Sequence, residues 1–164
     1  MKIKFVKPSD PILTKIAQEI SADQISSKET KEIINTMLKV AYGEQKDKGK
    51  PVMVGLAAPQ IGILKRIILV DIAANGKGKV GNLRVYINPE ITWVSKRKGE
   101  WYEGCFSTGR VCGIVSRPIS IKVKALRFTP QGCNQEFRKF SGYVARVFQH
   151  EIDHLNGKRF PDLI

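Results

Sequence analysis

Histidine is almost missing from this chain, with two in 164 residues. Cysteine is nearly as sparse: three occur, an odd number, which argues against a disulfide framework and for reduced thiols. No run approaches the roughly 20 apolar residues that cross a bilayer, so no membrane span is expected. Residues 1–5 lack the long apolar stretch of a secretory signal, so the expected location is the cytoplasm. An organelle, after loss of a transit peptide, is the alternative. Acidic residues are also short, at 15 against 28 Lys and Arg, leaving a formal charge of +13. That excess implies attraction to a polyanion such as nucleic acid, although a solvated lysine-rich surface accounts for the same count. Zinc-finger spacing and aromatic-interleaved basic motifs are both missing, so sequence-specific nucleic-acid readout is not expected.

What remains is ordinary for one globular unit: 42% of residues are apolar, enough for a core of its own at this length. Pro11 and the helical spacing that follows predict a short helix over 11–20. Ser26 and Glu29 fit a capping box, and Ile33, Ile34, Met37, Leu38 and Ala41 then share one face, so a longer helix should run to about Tyr42. The polar stretch 43–51 reads as a loop. Strands are expected over 66–72, over 83–88 with a stop at Pro89, and over 119–125. A last helix covers 143–155 and ends before Asn156 and Gly157. With no internal repeat, the expectation is an α+β fold forming a single domain over 1–164, with mixed, mainly antiparallel strands around a C-terminal helix.

Both histidines fall in that helix, as His150 and His154 of H-E-I-D-H. At about 3.6 residues per turn, positions i and i+4 lie on one face, so the two imidazoles are able to converge on one cation. Glu151 projects nearby without having to be a ligand, the arrangement associated with a metal-activated water and a carboxylate base. Val144, Phe148, Ile152 and Leu155 form an adjoining apolar stripe that would bury the helix. A chance match on a solvated helix face is the alternative. Two imidazoles leave the site incomplete, and neither a third histidine nor a glutamate follows His154. Asp162 is poorly placed, which leaves an upstream thiolate as the best further ligand. Spacing alone does not choose among Cys105, Cys112 and Cys133.

Three segments in order, V-G-L-A-A-P-Q-I-G (54–62), E-G-C-F-S (103–107) and Q-H-E-I-D-H-L-N-G (149–157), resemble the signature motifs of peptide deformylases. The flanks agree as well: Asp10, Pro11 and Leu13 near the start, Ile87, Asn88 and Pro89, Arg117, Ile121, Val123 and Gly142. The resemblance implies an enzyme that removes the N-formyl group from the N-terminal methionine of nascent polypeptides. It implies a divalent metal held by Cys105, His150 and His154, with water in the fourth position. Glu151 would be general base and then general acid. Gln60 and the backbone N–H of Phe106 would donate to the developing oxyanion. Gly55 and Val54 would line the substrate strand, with Val147 as a further wall. The family pattern favours Fe(II), while affinity favours Zn(II) or another divalent ion. The implied partners are N-formylmethionyl nascent peptides and, through the basic surface, the ribosome or ribosomal RNA. No membrane partner is expected, and the protein is expected to be a monomer. Met53 stands where the first motif usually has glycine, and its side chain is expected to bear on the substrate groove or the strand edge.

Overall fold

A computed structural model describes residues 5–47, 52–104 and 112–158. Its centre is a five-stranded antiparallel sheet in the order β1-β2-β3-β6-β7, formed by β1 (Gly55–Ala57), β2 (Ile67–Asp71), β3 (Leu83–Val94), β6 (Ser120–Thr129) and β7 (Gly132–Ser141). A separate two-stranded ribbon pairs β4 (Lys98–Gly104) with β5 (Cys112–Pro118). Two helices, α1 (Lys28–Lys46) and α2 (Gly142–Leu155), sandwich the sheet.

Strand periodicity explains the sandwich. Successive side chains point to opposite faces. Ala57, Ile68, Val70, Tyr86, Ile121 and Val123 therefore meet Ala145, Phe148, Ile152 and Leu155 of α2. Leu56, Ile67, Leu69, Val85 and Ile87 instead meet Ile34, Met37 and Ala41 of α1. Phe148 anchors the α2 layer, with its ring 5.0 Å from that of Tyr86 and 4.3 Å from that of Phe140. The fold class read from the sequence is the one observed, and α2 ends as expected.

Four local expectations are corrected. Only Pro11–Thr14 of the predicted 11–20 helix is helical, as one 3₁₀ turn capped by Asp10. Beyond it the backbone is committed elsewhere: Ala17 N–H donates to Leu155 (2.8 Å), Gln18 N–H to Leu64 (3.1 Å), and Arg66 N–H to Gln18 (2.9 Å). Tertiary pairing overrides local propensity there. The cap of α1 is Ser27 rather than Ser26, because Ser27 Oγ accepts from Thr30 N–H while Thr30 Oγ1 donates to Gln24 C=O.

Helix α1 also continues past Gly43 to Lys46. Gln45 secures the extra turn by donating to Met53 C=O (3.0 Å) and Asp71 Oδ2 (3.1 Å). Finally, β3 does not stop at Pro89 but runs to Val94 through a register shift between Ile87 and Glu90. A bulge tolerates a residue without an N–H. Asn88 turns the corner at φ 51°, and its side-chain amide accepts from Ile20 N–H and donates to Ile20 C=O. Strands β4, β5 and β7 were not anticipated, since they are largely exposed and lack an apolar alternation.

Candidate active site

Three elements meet at the sheet edge: β1, the 3₁₀ turn Ala58–Ile61 that follows it, and α2. On α2 the rings of His150 and His154 lie 5.1 Å apart, with 74° between their planes. Glu151, between them, is buried against β1. A Cβ on Gly55 would fall 2.7 Å from Glu151 Oε1 and 2.9 Å from Val147 Cγ1. Glycine is thus required here by the close approach of a carboxylate, in addition to any part in substrate pairing. Val54 and Val147 both pack in this α2-side layer, beside Gly55.

Gln60 lies in the 3₁₀ turn Ala58–Ile61 and is 2% exposed. Its Oε1 accepts from Ala57 N–H at 2.7 Å, which fixes the amide and makes Nε2 its donor end. Met53 is fully buried in the α1-side core with Ile34, Met37 and Ala41, so its side chain serves packing rather than the groove. Cys105 and Phe106 lie outside the described residues. Cys112 is exposed and Cys133 sits in the α1-side layer.

A set of charged residues holds this arrangement together, of which only Arg117 stood out in the sequence, as a family-like flank and without a role. Glu103, near the end of β4, accepts from Arg117 Nε (2.7 Å) and Nη2 (3.0 Å), and from Arg146 Nη1. Its Oε1 lies 3.0 Å from His150 Nδ1. Arg117 Nη1 also donates to Asp153 Oδ2 at 2.8 Å, and Arg146 caps the carbonyls of Val115 and Gly99. Gln149 ties α2 to β5 by donating to Pro118 C=O. One signal for these was visible: Arg146 interrupts the apolar run of α2, and a buried guanidinium requires a carboxylate.

The electrostatics follow from burial and these partners. Burial alone would raise the Glu103 carboxyl, but hydrogen bonds from His150 and Arg117 outweigh it and hold it at about 2. Glu151 is driven the other way by burial, up to about 7, with the nearby Glu103 charge adding to the rise. Burial, with the charges of His150 and Arg117 behind it, lowers His154 to about 3, so its imidazole is neutral at pH 7.

This donor set suits a divalent cation. The carboxylate on His150 Nδ1 turns Nε2 the opposite way, as outer-shell acids do for ligating histidines. A neutral His154 has the protonation state that a metal ligand needs. Glu151 Oε2 is buried with no hydrogen-bond partner among the described residues. Within the described residues no group of three or more His, Cys, Asp or Glu forms a metal-binding cluster, and the third expected ligand lies outside them.

An H-E-x-x-H helix packed behind the edge strand of an antiparallel sheet, with a poised buried carboxylate, defines a hydrolase. A profile of the polypeptide deformylase family matches residues 2–164. The chain is similar to the peptide deformylase of Natranaerobius thermophilus, 37% identical over 163 residues, covering 99% of this chain and 92% of the relative. It also resembles the solved class I type b peptide deformylase of Acinetobacter baumannii bound to Met-Ala-Ser, with TM-score 0.85, 33% identity, and coverage of 100% of this chain and 99% of that one. A probable peptide deformylase from Synechococcus phage S-SSM7 aligns with TM-score 0.80 and 36% identity over 99% of this chain and 100% of that one. The chain belongs to the polypeptide deformylase family. It is a metal-dependent hydrolase that removes the N-formyl group from the N-terminal methionine of nascent polypeptides.

Proposed function

We propose that residues 1–164 act as one catalytic domain in which Cys105, His150 and His154 hold a single divalent cation. Cys105 follows Glu103 by two residues, so the strand that anchors His150 is covalently continuous with the third ligand. We assign Fe(II) as the working ion, with Zn(II) or another divalent ion able to take its place. When bound, the cation supplies Lewis acidity toward the formyl carbonyl and lowers the pKa of water beside it.

The chain's own residues do the rest. Glu151 takes a proton from the attacking water at Oε2, and its raised pKa suits it to return that proton to the amine nitrogen. Water adds to the formyl carbon, the C–N bond breaks, formate leaves and the freed amine gains the proton. Gln60 Nε2 and Phe106 N–H donate to the formyl oxygen as it becomes negative. Strand β1 pairs only with β2 among the described residues, which leaves an edge at Gly55 and Val54 for the extended substrate. The Met-Ala-Ser tripeptide held by the Acinetobacter relative supports a methionine-first substrate. Val147 and Val54 supply apolar wall for that methionine.

The observation that carries this reading is Glu151 itself, buried on the helix that bears both imidazoles and packed so close to Gly55 that a side chain there would meet its carboxylate. We further assign the enzyme to the cytoplasm as a monomer, drawn to ribosomal RNA by its charge. No described helix is long and apolar enough to cross a membrane. The test is formate release from a formyl-methionyl tripeptide by anaerobically purified protein, with metal analysis on the same sample. Anaerobic handling protects a thiolate-ligated ferrous site from oxidation. One iron per chain and stoichiometric formate are expected. Internal cleavage of unblocked peptides with no formate would overturn the assignment.

A further inference from the structure

No linear basic-aromatic motif exists in the sequence, yet the sheet assembles one from three strands. The register sets Trp93 opposite Lys122, Lys122 opposite Lys139, and Lys124 opposite both Glu90 and Phe137. Ile121, Val123 and Ala125 point toward α2, so the alternating Lys122 and Lys124 point to the other face. Helix α1 covers that face only at its far end, over Leu126, Phe128 and Cys133. The near end is open: Trp93 is 42% and Phe137 64% exposed. The Nζ atoms of Lys122 and Lys139 lie 5.4 and 5.6 Å from the Trp93 ring centroid, and that of Lys124 lies 5.8 Å from the Phe137 ring.

Stability does not account for this patch. Like charges directly opposite on a ladder are destabilising, and large aromatics left in water gain little from folding. Cation–π contacts at exposed sites return only part of that. Among these cross-strand partners Glu90 is the one acid, against three lysines. A partner that combines repeated negative charge with flat rings satisfies both features at once, which is the chemistry of single-stranded nucleic acid. The net charge of +13 adds a long-range field of the right sign. A hydrolase acting on nascent chains meets its substrate at an RNA-rich particle, so RNA is the polyanion at hand; this choice rests on the function proposed above.

We propose that the outer face of β3, β6 and β7 binds single-stranded RNA, with phosphates on Lys122, Lys124 and Lys139 and bases stacked on Trp93 and Phe137. The patch and α2 lie on opposite faces of the sheet, so RNA occupancy leaves the hydrolytic site open.

The test measures binding of a fluorescein-labelled single-stranded RNA 15-mer across a salt series. The proteins are metal-loaded wild type, Trp93→Ala, the pair Lys122→Gln/Lys139→Gln, and the charge-matched pair Lys77→Gln/Lys79→Gln in the exposed turn before β3. Trp93→Ala is expected to weaken binding about tenfold. The Lys122/Lys139 pair is expected to reduce the slope of log affinity against log salt by about 0.7 per lysine. The Lys77/Lys79 pair should stay near wild type. Equal losses in both lysine pairs, or no loss with Trp93→Ala, would overturn the proposal. So would patch substitutions that abolish binding to phosphatidylglycerol vesicles while sparing RNA. Turnover of a short formyl-methionyl peptide is measured on the same samples. It is expected to be unchanged in every variant, and it separates failure of this inference from failure of the hydrolytic reading.

Discussion

Gly55 carries no side chain because Glu151 occupies the space one would fill. Gly55→Ala should therefore push the carboxylate off its position while leaving the fold nearly intact. A displacement of about 1 Å costs on the order of 100-fold in rate. Steady-state kinetics should show the loss in kcat, with the thermal midpoint little changed; a variant with wild-type kcat would show that the close contact has no catalytic weight. Gln60 gives a second residue-scale test. Its Oε1 accepts from Ala57 N–H, so Nε2 is its donor end, the one the proposed oxyanion role requires. Gln60→Leu should lower kcat by about 100- to 1,000-fold, the usual effect of losing one such donor, with little change in KM. At this scale the sequence placed His150, Glu151 and His154 together on one helix, because their spacing is local. It was silent on Glu103 as the anchor of His150, because 47 positions separate them and only the β4–α2 packing joins them.

Elements were legible in proportion to how far they make their own contacts. Helix α2 carries its apolar stripe and its stop signal locally, and the structure places it within a residue of the expected start. The 11–20 segment carries the same kind of stripe, yet after one turn its backbone hydrogen bonds go to Leu155, Leu64 and Arg66. Those partners are far along the chain and no periodicity reports them. The extension of β3 past Pro89 was hidden for a similar reason, since the bulge is held by Asn88 reaching back to Ile20. Asn88→Ala should lose two hydrogen bonds and put at positive φ a residue that tolerates it less well than asparagine, a destabilisation of about 2–3 kcal/mol. Urea denaturation should show a lower midpoint at unchanged slope; an unaltered midpoint would mean that the corner is held by other contacts.

Across the whole molecule, an excess of 13 positive charges coexists with a buried carboxylate that holds two arginines and a histidine. Removing one partner of such a network leaves the others uncompensated. Glu103→Gln should cost about 3–5 kcal/mol of folding stability and loosen His150 as well. The same groups set the acid limb of the metal-free protein. Glu103 is depressed from 4.5 to about 2 and His154 from 6.5 to about 3, so each contributes stability above its unfolded value that is lost as pH falls toward its folded one. Glu151, raised to about 7, works in the opposite sense, and its contribution fades as pH rises from 4.5 through 7. Between about pH 6.5 and 4.5 the His154 and Glu151 effects offset one another, so thermal midpoints of metal-free protein should decline from about pH 5 downward as Glu103 adds to the loss, and a midpoint unchanged between about pH 5 and pH 3 would contradict this balance. Most directly tested is the claim that Glu151 serves the reaction without holding the cation. Metal content and formate release should be measured side by side for wild type and Glu151→Gln, both purified without oxygen. One divalent ion per chain in each protein, with formate from the wild type only, is the predicted result. A Glu151→Gln protein that keeps full turnover, or that loses its metal, would contradict it.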